Sequence, residues 1–186
     1  MRKLAQELDT GAASLYVYVK NHVYVKNRDD LLAAMLDQAL ADVPLPTSRR
    51  GPWQKRLASL VEASIDAMAR HQGLALVALG GVPTGLNALL KEAGLDDATI
   101  SWAVDLLHLY ITATAAEQSA YHDKEALGQT EAGNLQNADE HFASLPADRY
   151  PMIVAMREQL LAGSGDQRAR WALKVLLNGI LHTPAE

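Results

Sequence analysis

MRKLAQELDTGAASLYVYVKNHVYVKNR, residues 1–28, decides how the rest of this chain is read. Leu4, Ala5 and Leu8 share one helical face, at i, i+1 and i+4. Asp9, Thr10 and Gly11 break that period and make a turn. A second short helix follows, with Leu15 and Val19 as its buried face. Ala13, Ser14, Val17, Tyr18 and Lys20 then point elsewhere. Two short crossed helices joined by a few turn residues are the layout of a helix-turn-helix, whose second helix can enter the DNA major groove.

The same stretch contains a tandem repeat. Residues 16–21 read YVYVKN and residues 22–27 read HVYVKN. Val17, Val19, Val23 and Val25 alternate with Tyr and Lys, and β-branched and aromatic residues favour strands, so a β-hairpin is one reading. A copying error in the sequence is a second. A real insertion that lengthens the segment after the second helix is a third.

Outward from this stretch, composition bounds the class. With 186 residues the chain suits one or two domains and has ample length for a core. Hydrophobic content of 49% against 21% charged residues excludes a disordered chain. The absence of cysteine removes disulfides, thiolate nucleophiles and cysteine zinc sites together. The longest plain apolar run, Leu74 to Val82, is nine residues with two glycines, whereas a membrane span needs roughly 20. No secretory signal pattern opens the chain, so a cytoplasmic protein with no membrane partner is expected. Charge is uneven. Residues 1–28 hold five bases (Arg2, Lys3, Lys20, Lys26, Arg28) to two acids (Glu7, Asp9), net +3, so the remainder carries −8 of the chain's net −5. A basic end on an acidic body suits contact with phosphates at one end only; a modest surface fluctuation is the plain alternative.

From Asn27, a helix cap, Leu31, Leu32, Met35, Leu36, Ala39, Leu40 and Val43 form an apolar stripe. Pro44 and Pro46 end it. Pro52 opens a long helix whose core face is Trp53, Leu57, Leu60, Val61, Ser64, Ile65 and Met68. Leu86 to Ala93 is a short helix closed by Gly94. The next helix starts at Asp96 or Asp97 and runs to about Tyr121. It is apolar on almost every side except for a stripe of Ser101, Asp105, His108 and Thr112, and is therefore expected to be buried. His122 to Asn137 reads as a polar loop and Ala138 to Ser144 as a short helix. Tyr150-Pro151 opens a helix with Met152, Ile153, Met156 and Leu160 facing inward. The last helix, about Asp166 to Leu181, has Ala172, Leu173, Leu176, Leu177 and Ile180 on one side and Trp171 and Val175 on another. Two apolar faces predict one packed inside and one on a partner, with both intramolecular as the alternative.

Enzyme readings find no support. There is no G-x-S-x-G, H-E-x-x-H or G-x-G-x-x-G, and the six histidines form no i, i+3 or i+4 pair, so neither catalytic residues, a metal nor a cofactor is expected. His108 beside Asp105 reads as a hydrogen-bonded pair on the helix surface.

Leu4-Ala5-Gln6-Glu7-Leu8, Gly11-Ala12-Ala13-Ser14-Leu15-Tyr16, Lys20-Asn21 and Arg28-Asp29-Asp30-Leu31-Leu32 together resemble the tetracycline-repressor (TetR) family. The specific part of the resemblance covers about thirty residues. It implies an all-α regulator, usually a homodimer: a helix-turn-helix head, here residues 1–43 with the connecting helix, and a helical ligand-binding and dimerisation body, residues 44–186. Two departures stand out. The family has a further helix before Arg2, so the head is expected to be incomplete, and it has one copy of the repeated segment.

The resemblance maps operator contacts onto Ala12, Ala13, Ser14, Tyr16, Tyr18 and Lys20. Ser14 and the Tyr18 hydroxyl can bond to base edges, while Ala12, Ala13 and Val17 offer apolar contact suited to a thymine methyl. Tyr16, Lys20, Lys26 and Arg28 would hold phosphates. A pocket for an unidentified inducer is expected among Ser64, Met68, Leu86, Leu90, Trp102, Leu106, Tyr110, Thr114 and Phe142, mostly apolar with a few hydroxyls. The homodimer is expected to pair the Met152, Met156 and Leu160 helix with the Trp171, Val175, Asn178 and Gly179 face as a four-helix bundle. The function implied is a repressor released from operator DNA by a small molecule. The alternative is a helical dimerisation protein that does not bind DNA.

Overall fold

The structure, a computed structural model, describes residues 6, 9, 11, 28–41, 43–45, 51–71 and 85–185, with the backbone alone at 28, 29 and 131. Eight helices lie among them: α1 Arg28–Ala41, α2 Trp53–Ala69, α3 Leu86–Glu92, α4 Asp97–Ala126, α5 Glu131–Ser144, α6 Pro151–Ala155, α7 Arg157–Leu161 and α8 Gly165–His182. No strand occurs among the described residues, and the all-α expectation holds.

The core forms where apolar faces of helical period meet. Leu57, Leu60, Val61, Ile65 and Met68 of α2 pack against Leu86, Leu89 and Leu90 of α3. Ile100, Ala103, Val104, Leu107, Ile111 and Ala115 of α4 close the same cluster, with Leu173, Leu177 and Ile180 of α8 along its side. α1 adds Leu36. The α2 stripe was legible residue by residue, and only Trp53 stops at half-buried.

No core residue comes from α5, α6 or α7, which pack on one another instead. An Asp139–Arg157 ion pair of 2.9 Å ties α5 to α7. Arg168 of α8 donates to the carbonyl oxygens of Leu160 and Ala162, two of the acceptors that the end of α7 leaves without helical partners. These three helices are a separate layer clipped to the core at its edges.

The ends of α4 explain its length. Asp96 is the N-cap, and its carboxylate accepts from the Thr99 amide at 2.9 Å and the Thr99 hydroxyl at 2.7 Å. Those bonds hold the Asp96 carboxyl below the usual carboxylate range. At the other end Gly128 adopts φ +80°, its amide donates to Glu125, and Gln129 donates to Lys124. This double closure needs a left-handed residue after the helix, which glycine supplies without a Cβ clash. The helix therefore runs to Ala126, past Tyr121.

Three expectations require correction. The polar segment 122–137 is mostly helical: α4 extends into it, and Thr130 caps α5 by accepting from the Gly133 amide at 3.1 Å. The helix that opens at Pro151 breaks at Met156 (φ −102°, ψ 13°), and Met152, Met156 and Leu160 are exposed rather than inward-facing. α4 is not buried all round, because Trp102, Leu106 and Leu109 remain 61%, 41% and 57% exposed.

Candidate functional site

A cavity of about 980 Å³ lies between the core and the α5–α7 layer. Its floor is one side of α4, where Tyr110, Thr114, Glu117, Gln118, Tyr121, His122 and Glu125 recur at helical spacing. Asp66, Ala69 and Arg70 close it from the end of α2, and Asn134, Leu135 and Ala138 from α5. Leu160 to Arg168 and Ala169 form the remaining wall, where the chain turns from α7 into α8. A smaller hollow of about 200 Å³ shares Asp66, Tyr110, Gln118, Asp166 and Ala169 and adds Glu62 and Arg170. A cavity of this size with convergent polar groups suits a small organic molecule.

Tyr110 stands where the two hollows meet. Its hydroxyl donates to the Ala169 carbonyl at 2.7 Å and joins α4 to α8. Burial pushes its ionisation above the ordinary tyrosine value, the Thr114 hydroxyl bonded to it pulls the other way, and the nearby Glu62 carboxylate pushes it up again. At the far end of the same helix pair, the Ala185 amide donates to the Thr99 hydroxyl at 2.9 Å. The two bonds fix α4 and α8 as antiparallel neighbours.

That pair presents a second feature. Trp102, Leu106 and Leu109 of α4 and Trp171 and Val175 of α8 (69% and 48% exposed) are large apolar side chains in solvent. Asn178 and Gly179 are exposed too, and a Cβ at Gly179 would meet nothing within 4 Å. Large apolar groups gathered in this way mark an interaction surface.

The expected site residues divide accordingly. Tyr110 and Thr114 line the cavity. Ser64, Met68, Leu86 and Leu90 lie in the closed core at 0–1% exposure, and the Ser64 hydroxyl is bonded to the Leu60 carbonyl at 2.8 Å. Trp102 and Leu106 face solvent. Phe142 is half-buried on α5, beside His141. Leu160 lines the cavity, whereas Met152 and Met156 do not. Ala12, Ala13, Ser14, Tyr16, Val17, Tyr18, Lys20 and Lys26 lie outside the described residues, as does the repeat at 16–27; Arg28 opens α1. Of the turn expected at residues 9–11, Asp9 has φ +47° and its amide donates to the Gln6 carbonyl at 3.2 Å.

Sequence reasoning missed Asp66, Glu117, Gln118 and Asp166. The available signal was the run Tyr110, Thr114, Gln118, Tyr121 and Glu125, a polar-tipped line on the same helix whose stripe had been traced only to Thr112. Thr112 itself is buried, with its hydroxyl on the His108 carbonyl. The expected His108–Asp105 surface pair also needs correction. Both ring nitrogens of His108 are buried without a hydrogen-bond partner among the described residues, while Asp105 faces solvent. Among the described residues no three His, Asp or Glu side chains are grouped to hold a metal, and no helix is long and apolar enough to cross a membrane.

Residues 45–183 match the family model described as "Tetracyclin repressor-like, C-terminal domain". A transcriptional repressor of Streptomyces coeruleorubidus, DrrR1, is 27% identical over 201 residues, covering 95% of this chain and 70% of that one. An HTH-type transcriptional regulator of Saccharopolyspora erythraea is 27% identical over 180 residues, with 92% and 70% covered. The crystal structure of ActR from Streptomyces coelicolor in complex with actinorhodin superposes with a TM-score of 0.75 at 30% identity, covering all of this chain and 88% of that one.

Proposed function

The chain belongs to the tetracycline-repressor family of transcriptional regulators, and on that premise we propose that it is a repressor released from its operator by a small molecule held in the α2–α4–α5–α8 cavity. In this reading residues 1–43 form the DNA-reading head, and residues 44–186 sense the ligand and pair two copies. The observation that carries it is the family match over residues 45–183, which contains the whole cavity. That ActR is solved with actinorhodin supports a ligand role for the corresponding body in a relative.

Two copies would pair through the exposed face of α4 and α8: Trp102, Leu106, Leu109, Trp171 and Val175, with Asn178 and Gly179 at its end. Two such helices from each copy make a four-helix bundle. Tyr110 links the cavity to the helix that carries this face, because Ala169, the acceptor of its hydroxyl, stands on α8 two residues before Trp171 and six before Val175. A ligand that moves α8 against α4 would change the spacing of the two heads on DNA. Coupling of this type is commonly about 1–3 kcal/mol.

The head would act through Ser14 and Tyr18 on base edges, Ala12, Ala13 and Val17 on methyl groups, and Tyr16, Lys20, Lys26 and Arg28 on phosphates. The test is a gel shift of the intact chain on duplex DNA from its own promoter region across a salt series. We expect binding that weakens with salt by roughly 0.9 log units per log unit for each phosphate neutralised. Tyr18→Ala should lose sequence preference while keeping non-specific affinity. An intact dimer that leaves this DNA unshifted at low salt would falsify the repressor reading.

A further inference from the structure

We propose that the ligand of the large cavity is an organic cation with an aromatic body. The inference rests on the reading of this cavity as the effector site and names the class of molecule it takes. Four carboxylates reach the wall from three helices: Asp66, Glu117, Glu125 and Asp166. None takes part in an ion pair or a side-chain hydrogen bond among the described residues. Among the described residues they are not the acidic halves of internal salt bridges, so a bound cation need displace no cationic side chain to reach them.

The opposing charge in the lining is half as large. Two guanidiniums face the cavity, Arg70 and Arg168. Arg168 already directs both Nε and Nη2 at the carbonyl oxygens of Leu160 and Ala162, where it holds the end of α7. Arg168 keeps its charge in doing so, and the lining still holds four carboxylates to two guanidiniums, a formal excess of two negative charges. A buried anionic ligand would meet that excess as repulsion, which partial enclosure strengthens. A cation meets it as attraction.

The aromatic part follows from the floor. Tyr110 and Tyr121 lie along one side of α4 with Glu117 between them and Glu125 one turn beyond. The Tyr121 ring shows that its face suits a cation, because the Lys124 ammonium lies 5.6 Å from the centroid, and a ligand cation on that face would take the place of Lys124. Flat rings flanked by carboxylates suit a delocalised positive charge, which can lie on a ring and still reach an acidic oxygen.

A pair of xanthene dyes of nearly the same shape tests this. Cationic rhodamine 123 and anionic fluorescein are titrated by fluorescence into the intact protein without DNA at pH 8. Rhodamine 123 should bind saturably at least ten-fold more tightly than fluorescein, and its affinity should fall with salt. The Asp66→Asn/Glu117→Gln double variant should lose roughly ten-fold in rhodamine affinity while its thermal midpoint stays near the parent's. Equal or tighter fluorescein binding, no saturable rhodamine binding, or parental rhodamine affinity in a folded double variant each overturns the proposal. A gel shift with each dye separates this idea from the one beneath it. Rhodamine bound in the cavity with the operator complex intact upholds the cation preference and removes the effector role. Fluorescein binding that releases the operator does the reverse.

Discussion

Helix α4 has two halves in different surroundings. From Ile100 to Ala115 its inward face belongs to an apolar core shared with α2, α3 and α8. From Tyr110 to Glu125 another side of it forms the floor of a polar cavity roofed by α5 to α7. Neither half differs much in helix-forming ability. The difference lies in what sits opposite. Leucines and isoleucines of the core cluster stand across from the first half, whereas a layer that contributes nothing to that cluster stands over the second. Apolar packing is therefore concentrated in one half and the cavity lining in the other, on one continuous rod of 30 residues.

The strongest way to break this contrast is to substitute in both halves. Leu107 is fully buried in the core cluster that α4 shares with α2, α3 and α8. Leu107→Ala should cost about 2–5 kcal/mol, since the packed surroundings relax only in part around the lost methyl groups. A urea midpoint that falls with an unchanged slope is the expected record. If the loss were under 0.5 kcal/mol, roughly the scale of a surface change, the first half would not be the stable one.

A middle-sized effect concerns where the second half stops. Gly128 sits at φ +80°, and nothing lies within 4 Å of a Cβ built there. Gly128→Ala should therefore lose only the backbone preference of glycine, about 1 kcal/mol. Amide exchange should quicken at Gly128 and Gln129, whose donors close the helix. The core half should keep its protection, because the two ends are capped independently.

The same contrast explains what the sequence could reveal. The α2 face from Leu57 to Met68 was legible because burial on one side leaves a period of 3.6 in residue type. The long helix defeated that logic. Trp102 and Leu106 carry the same apolar signature as Leu107, yet one set faces solvent and the other the core. Periodicity reports that a face is apolar and is silent on whether it meets its own chain or another. The cavity wall was less legible still. Asp66, Asp166 and Glu117 come from three distant positions that converge only in three dimensions, and each reads singly as an ordinary surface acid. α5 was cut short for another reason: Gly133, Asn134 and Asn137 favour turns locally, but the Thr130 cap and the packing of α7 override them.

Tyr110 belongs to both halves, and its hydroxyl can be removed without emptying space in the core. Tyr110→Phe deletes the bond to Ala169, which should cost about 1 kcal/mol near neutral pH. The pH dependence has a definite sign. Folding raises the pKa of this hydroxyl, chiefly through burial, so the neutral form is favoured in the native state. The stability it contributes is complete below the ordinary tyrosine value of about 10 and is lost as pH rises through the higher native value. The gap between parent and Phe variant should thus be widest below pH 9 and narrow above pH 10, as read by urea midpoints. A gap that stays constant to pH 11 would mean that folding leaves the ionisation of Tyr110 where it stands in the unfolded chain, and that its place between the hollows does not hold the proton.

The smallest effect is the most diagnostic of the cavity half. Glu125 lies in the last turn of α4, where the helix dipole is negative, and it shares the cavity with Asp66, Glu117 and Asp166. Both surroundings oppose its charge, and no ion pair among the described residues offsets them. Glu125→Gln should therefore stabilise the protein slightly, by about 0.3 kcal/mol at low ionic strength. The gain should vanish in 0.5 M salt, where screening acts within roughly 4 Å. Thermal midpoints at the two salt concentrations measure it. An equivalent neutral swap at Asp97, in the first turn of the same helix and bonded to Lys91 at 2.6 Å, should change stability in the opposite direction. The sign of a charge change thus depends on which half of α4 carries it. Two destabilising results would mean that the cavity carboxylates are held by partners, and the excess of negative charge that defines this half would no longer be open to a ligand.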